Sequence, residues 1–152
     1  MSILALVIHP NDILRAVSGA VPIEAIKNYR QLVLDMKETM IARRGIGLAA
    51  PQVGQNIRLI IVQTKDGPQA LFNPEIKDSS EDQEWGEEGC LSIPGVFGDV
   101  ERHKKIQCEY FNEFAEPKKL EAEGLMARVI QHEIDHLNGI LFIDKGKNIH
   151  QN

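Results

Sequence analysis

The sequence predicts an α+β fold, with mainly antiparallel strands packed around a C-terminal helix and an amphipathic helix near the N-terminus. Short apolar or alternating segments, separated by Gly and Pro, occupy the middle of the chain and are typical of strands. Two segments with helical spacing flank these strands rather than alternating with them, which favours α+β over repeated βαβ units. Residues 1–152 are expected to form a single domain, long enough to bury a core.

The composition is that of an ordinary globular protein and excludes several function classes. A formal net charge of -5 gives no surface for neutralising phosphates, so no direct nucleic-acid site is expected. No apolar run approaches the roughly 20 residues that a membrane span requires, and the first residues lack the features of a signal peptide. Two cysteines cannot form a disulfide framework, so a cytoplasmic protein is expected. A monomer is the default expectation for a protein of this size and surface.

Helical spacing marks two segments of the chain. Beyond Pro22, apolar residues recur among charged ones, which predicts an amphipathic helix that begins at Pro22 and ends before Gly45. Residues 124–138 form the second predicted helix, with Gly139 as its C-terminal cap.

The strand predictions lie between these two helices. The apolar run 59–62 predicts a buried strand, and residues 70–72 predict another that the Asn73-Pro74 pair closes. Residues 105–110 alternate between apolar and polar side chains, as in a strand with one buried face. The basic run 102–105 is interpreted as the solvated end of that strand, because nearby acids dilute its charge.

The sequence His132-Glu133-Ile134-Asp135-His136 gives the strongest functional signal. Two histidines four positions apart project from one face of a helix, so both imidazoles can reach one metal ion. Glu133 would then lie near the attacking water without being a ligand, where it can accept a proton. This pattern predicts a metal-dependent hydrolase.

The third ligand is sought upstream, because the usual downstream candidates are missing. Phe142 stands where a metzincin would have its third histidine, and no glutamate follows Glu133, so only Asp144 and His150 remain as downstream candidates. Upstream, Cys90 follows Gly89, whose small size would let backbone approach a ligand, and a thiolate binds borderline metals well. Cys108 belongs to the apolar face of a strand and is expected to be an inert core residue.

Three segments together resemble the signature motifs of the peptide deformylases. They are Gly-Ile-Gly-Leu-Ala-Ala-Pro-Gln at 45–52, Glu-Gly-Cys-Leu-Ser at 88–92 and Gln-His-Glu-Ile-Asp-His at 131–136, in that order. The resemblance extends to residues 9–12 and 125–144, and so includes most of the chain.

This resemblance implies hydrolysis of a formamide, with N-formylmethionyl nascent peptides as substrates and formate as a product. Cys90, His132 and His136 would hold one divalent metal ion. Glu133 would move the proton from water to the departing amine. By resemblance, the side-chain amide of Gln52 and the backbone N–H of Leu91 would stabilise the oxyanion.

The resemblance also implies how the peptide binds. The substrate would lie extended against the backbone of Ile46, Gly47 and Gly89, by strand addition. Its methionine side chain would enter an apolar pocket for which Ile46, Leu125 and Val129 are candidates. Leu125 and Val129 are four positions apart, so they share one helix face.

Metal identity, later peptide contacts and partners are less determined by the sequence. One thiolate and two imidazoles suit Zn²⁺, Ni²⁺ or Co²⁺, and the resemblance favours Fe²⁺. Phe97 stands where some members have arginine, which leaves contacts to later peptide residues open. A transient association with the ribosome is implied, but the sequence ends sixteen residues after His136, so docking through a long C-terminal helix is not assumed.

Two other functions stay open on the residues alone. A metallopeptidase using the same helix would lack a conventional downstream ligand and would leave residues 45–52 and 88–92 without a role. A non-catalytic metal-binding module would not need Glu133, and its site would close the fourth metal position instead of leaving it to water.

Overall fold

Eight strands form two antiparallel sheets in the computed structural model, which describes residues 2–152. The larger sheet has the order β1-β2-β3-β6-β7 and is built from β1 Gly47–Ala49, β2 Leu59–Thr64, β3 Gly67–Ser79, β6 Lys105–Phe111 and β7 Pro117–Glu123. The smaller sheet has the order β4-β5-β8 and is built from β4 Gln83–Cys90, β5 Ile93–His103 and β8 Lys147–Gln151. The α+β prediction is confirmed.

Three α-helices accompany the sheets in the described part of the chain: α1 Arg30–Ala42, α2 Leu125–Leu137 and the short α3 Phe142–Lys145. Helix α2 matches the second predicted helix, and Gly139 follows it in the left-handed conformation, with φ of 74°. The prediction of one α-helix from Pro22 is wrong at its start, where Ile23–Tyr29 is a 3-10 helix. Over seven residues, the side-chain spacing of the two helix types is too similar to separate them.

Strand β3 continues through Asn73 and Pro74, where the sequence predicted its end. Asn73 adopts a φ of 50°, and the register with β6 shifts between Phe72 and Glu75. The Asn73 side chain accepts a hydrogen bond from the Val21 N–H and donates one to the Val21 carbonyl, both at 2.8 Å. This irregularity lets the strand pass a proline without breaking the sheet.

Helix α2 lies between the two sheets and is buried on most of its surface. Residues 127–134 and 136–137 are all buried. Strand β2 contributes Ile60 and Val62 to the cluster around α2, and Leu59 and Ile61 to the cluster around α1. Both faces of β2 are therefore covered, which explains its uninterrupted apolar run. Within residues 2–152, none of the helices has the length and apolarity to cross a bilayer.

Candidate metal centre and active site

Cys90, His132 and His136 come together between the smaller sheet and helix α2. Their ligand atoms all lie within 4.8 Å of one another. The two histidines are one turn apart on α2, with ring centroids 5.0 Å apart, and Cys90 is the last residue of β4. Cys90 Sγ is 3.4 Å from His136 Nε2. The structure thus brings together the three residues that the sequence suggested as ligands.

The chemistry of this cluster fits a divalent transition metal. It is the one group of three or more His, Cys, Asp or Glu side chains with such close ligand atoms among residues 2–152. Burial lowers the pKa of His136 well below its usual value, so this imidazole is neutral, as a metal ligand must be. Burial also lowers the pKa of His132, but its hydrogen bonds with Cys90 and Glu88 outweigh burial and raise the pKa to about 10, so His132 must release a proton when a metal binds. One thiolate with two imidazoles suits zinc, iron, cobalt or nickel, and a set of three protein ligands is typical of catalytic rather than structural sites.

His132 is oriented by a buried carboxylate, Glu88. The Nδ1 atom of His132 lies 2.8 Å from Glu88 Oε1, which leaves Nε2 as the nitrogen available to a metal. Arg102 donates two hydrogen bonds of 2.9 Å to Glu88, and Arg128 donates one of 2.7 Å. Burial opposes ionisation, but the hydrogen bonds from Arg102 and His132 outweigh it and hold the pKa of Glu88 far below its usual range.

The sequence interpretation missed this charge cluster. Arg102 was expected in a solvated basic run, but its side chain is only 3% exposed, so that interpretation is wrong for this residue. Arg102 Nη1 also contacts Asp135 at 2.6 Å, which joins β5 to helix α2. The acids inside two of the motifs, at Glu88 and Asp135, were the available signal for basic partners, but they do not identify Arg102 as one of them.

Glu133 lies beside the ligand cluster and is buried. Its Oε2 atom is 4.0 Å from His132 Nε2, and its Oε1 atom is buried with no hydrogen-bond donor among the described residues. Burial raises the pKa of the Glu133 carboxyl to about 7. A carboxyl in this range can both accept and return a proton near neutral pH.

Gln52 directs its amide nitrogen toward the same cluster. Its Nε2 atom is 3.4 Å from Cys90 Sγ and 3.1 Å from Ser92 Oγ. Its Oε1 atom accepts a hydrogen bond of 2.9 Å from the Ala49 N–H, which fixes the orientation of the amide. Leu91 follows Cys90 in the turn between β4 and β5. The Gln52 amide therefore lies beside the thiol of Cys90, and Leu91 lines the same cavity.

A cavity of about 510 Å³ opens at this cluster. Its lining includes all the suggested site residues except His136: Ile46, Gly47, Gln52, Gly89, Cys90, Leu91, Leu125, Val129, His132 and Glu133. His136 is buried beneath it, at 1% exposure. At the mouth Ile46 and Leu125 are 48% and 65% exposed, whereas Val129 is buried, so one wall of the cavity has apolar side chains from rim to base.

Two strand edges border the cavity. Strand β1 ends the larger sheet and strand β4 ends the smaller one, and each has one neighbour only in its sheet. Gly47 belongs to β1 and Gly89 belongs to β4. Free main-chain groups on edge strands that border one cavity are suited to pairing with an extended peptide.

The two cysteines are expected to differ in reactivity. Cys90 is partly exposed, whereas Cys108 is fully buried and burial raises the pKa of its thiol to about 11. In metal-free folded protein at pH 8, a disulfide reagent should modify Cys90 quickly and Cys108 about 10²-fold more slowly. The thiolate that the reagent releases is measured over time to check this. The Cys90→Ala variant is the control and should lose the fast phase. Equal rates for both thiols would contradict the burial of Cys108.

The site is that of a metal-dependent hydrolase. It combines a cluster of one cysteine and two histidines, a buried carboxylate beside them, and an open cavity with apolar side chains in its wall. The family model described as polypeptide deformylase matches residues 3–152. The chain belongs to this family.

Individual relatives agree over most of the chain. A peptide deformylase from Helicobacter pylori (strain G27) is 46% identical over 153 residues, covering 95% of this chain and 87% of that protein. A Synechococcus elongatus peptide deformylase in complex with actinonin superposes with a TM-score of 0.89 at 45% identity, covering 95% and 79% of the two chains. A Met-Ala-Ser-bound class I type b peptide deformylase from Acinetobacter baumannii has a TM-score of 0.88 at 36% identity, covering 94% and 98%.

Proposed function

We propose that this protein removes the N-formyl group from the N-terminal formylmethionine of newly made polypeptides in the cytoplasm and releases formate. The observation on which this depends most is the Cys90, His132 and His136 cluster with Glu133 beside it, at the base of a cavity bordered by two strand edges. All of these residues come from one chain, so a monomer is sufficient for the reaction. Transient association with the ribosome is part of the same proposal.

Cys90, His132 and His136 are the proposed metal ligands, and Fe²⁺ is the favoured ion, with Zn²⁺, Ni²⁺ and Co²⁺ also compatible with the donor atoms. When bound, the metal supplies Lewis-acid polarisation of the formyl carbonyl and makes the attacking water more acidic. Glu88 supports this role by fixing which His132 nitrogen is free.

Glu133 is the proposed acid and base of the reaction. It accepts a proton from the attacking water and later returns it to the amine nitrogen that leaves. Its burial supports this role, because a carboxyl shielded from bulk solvent has a raised pKa and delivers the proton to the substrate rather than to water.

Gln52 and Leu91 are the proposed oxyanion donors. The Gln52 amide is held by Ala49 with its nitrogen toward Cys90, where negative charge would develop on the formyl oxygen. The backbone N–H of Leu91 would provide the second donor from the residue after the thiolate.

The peptide is proposed to add as a strand between β1 and β4. Ile46, Gly47 and Gly89 would pair with its main chain, which tolerates varied side chains. The methionine side chain would enter the apolar pocket formed by Ile46, Leu125 and Val129.

The central test uses two peptides with metal-loaded, anaerobic protein. Formyl-Met-Ala-Ser should yield formate and a free amino terminus, and acetyl-Met-Ala-Ser should react far more slowly because its acyl group is bulkier. Cleavage between amino acids without formate release would favour the metallopeptidase alternative. Metal binding with no hydrolysis of either kind would favour the non-catalytic alternative.

Replacement of Gly47 by alanine is expected to reduce formate release by about 10²-fold. An added Cβ would lie 2.5 Å from Glu133 Oε2 and 2.8 Å from Val129 Cγ1, so Glu133 or β1 must shift. Gly19→Ala is the matched control, because the nearest atom to its Cβ would be 3.9 Å away. Steady-state rates of formate release by the two variants check this prediction. Equal rates would contradict it, because they would mean that Glu133 keeps its function when it is displaced.

A further inference from the structure

We propose that Arg128 is a positioning residue for the metal centre, which the backbone of the smaller sheet fixes and which holds Glu88 where it orients His132. The inference rests on the metal centre of the proposed function and assigns part of its metal affinity to a residue that is not a ligand. Arg128 lies one helical turn before His132 on α2, so the two side chains share one face of the helix.

Three hydrogen bonds fix the guanidinium group of Arg128. Its Nη1 atom donates to the Val100 carbonyl on β5, and its Nη2 atom donates to the Glu84 carbonyl on β4, both at 2.8 Å. Nη1 also donates to Glu88 Oε2 at 2.7 Å. The side chain is only 10% exposed, which leaves little room for water to replace these bonds. Main-chain groups on two strands therefore set the place of the group that holds the Glu88 carboxylate.

Gly86 supplies the space in which this guanidinium lies. Residues 84, 86 and 88 are two positions apart along β4, so they point to the same face of the strand as Glu88, toward α2. A methyl group at Gly86 would be 2.9 Å from Arg128 Cζ and 3.0 Å from both Nε and Nη2. A side chain at this position would push the guanidinium away from the two carbonyls. Gly86 and Arg128 are therefore a matched pair.

Arg102 does not hold Glu88 in the same way. Its guanidinium is shared with Asp135, which Nη1 contacts at 2.6 Å. Arg102 Nη2 also donates to Glu88 Oε1, and this is the oxygen that contacts His132 Nδ1. Arg128 donates to Oε2, the other oxygen. Without Arg128, we expect the carboxylate to shift toward Arg102 and to orient His132 less well.

Co²⁺ binding to metal-free protein measures this effect, because Co²⁺ bound to a thiolate absorbs visible light and a chelator can compete for the ion. Arg128→Met should weaken Co²⁺ binding by about tenfold, since an orienting partner of His132 is itself displaced. Arg128→Lys should recover only part of this loss, because a compact ammonium lacks the planar fork. Arg43→Met is the matched control: Arg43 is an exposed arginine just after α1, and the variant should bind Co²⁺ as the wild type does.

Gly86→Ala tests the same role without removal of the arginine. The added methyl group denies the guanidinium its place, so Co²⁺ binding should weaken by a factor similar to that for Arg128→Met. The double variant Gly86→Ala/Arg128→Met should bind no more weakly than Arg128→Met alone, because no guanidinium is left to displace. Gly19→Ala is the control, with the nearest atom 3.9 Å from its Cβ. Arg128→Lys and Gly86→Ala keep a positive charge near Glu88, so they test the inference even where Arg128→Met does not fold.

Formate release at saturating Co²⁺ separates this role from a contact with the substrate. Arg128 also lines the cavity, but a positioning role predicts that KM for formyl-Met-Ala-Ser stays within about threefold of the wild type once the metal site is filled. A large rise in KM with unchanged Co²⁺ affinity would overturn the inference.

Co²⁺ affinity of the wild-type level in Arg128→Met or in Gly86→Ala would also overturn it, as would additive losses in the double variant. A wild type that binds no Co²⁺ would overturn the proposed metal centre and the inference with it. A wild type that binds Co²⁺ but releases no formate would overturn the proposed deformylase function alone, because the affinities of the variants would still test Arg128.

Discussion

Replacement of Glu133 by glutamine is expected to slow formate release by about 10²–10⁴-fold, with the metal content unchanged. Glutamine keeps the size and shape of the side chain but cannot take a proton from water. Glu133 is buried and 4.0 Å from His132, so no solvent-exposed carboxylate can replace it at the same place. The loss should appear in kcat more than in KM, because the missing interaction belongs to the transition state.

Single-turnover formate release and metal analysis of the same sample check this prediction. Glu123→Gln provides the matched control, since the Glu123 side chain is 73% exposed at the end of β7, and its rate should match the wild type. Full activity in the Glu133→Gln variant would remove Glu133 from the mechanism. A slow variant that has also lost its metal would instead indicate a structural role.

Replacement of Glu88 by alanine is expected to lower the free energy of unfolding by about 3–5 kcal/mol. Glu88 contacts Arg102, Arg128 and His132, and its own side chain is only 5% exposed. Its removal leaves two buried guanidinium groups without their shared carboxylate, and the cost of those uncompensated charges exceeds the value of the individual hydrogen bonds.

Urea unfolding of metal-free protein, followed by circular dichroism, measures this change. Glu87→Ala is the control: Glu87 is the next residue along β4, its side chain is 58% exposed, and its replacement should cost less than about 0.5 kcal/mol. Metal affinity of the Glu88 variant should also fall by about 10–100-fold, because His132 loses its orienting partner. Equal stability of the two variants would contradict the assigned role of the charge cluster.

The sequence predicted those elements that have one clear periodicity. Helix α2 and strands β2 and β6 have apolar residues on definite faces, and their patterns matched the structure within a few residues. Strand β4 was not predicted, because most of its side chains are polar and exposed and Glu88 is its one buried residue. Its pairing with β5 is a long-range feature that local patterns do not contain.

The candidate site was predictable in its ligands and less so in their support. Spacing on α2 identified His132 and His136, and the search for a third donor identified Cys90, which the structure brings within 4.8 Å of them. The burial of Arg102 was not predictable, because it depends on how β5 packs against α2. Roles of Gln52, Leu91 and the pocket residues stay predictions that follow from the family resemblance and the geometry.

Metal titration tests the central claim most directly. Protein stripped by a chelator is loaded stepwise with Fe²⁺ under anaerobic conditions, and bound metal and formate release from formyl-Met-Ala-Ser are measured at each step. The account predicts that formate release rises in proportion to bound metal and stops at one ion per chain, and that Cys90→Ala binds the ion weakly and releases little formate. Formate release by metal-free protein at the rate of the loaded protein would contradict it.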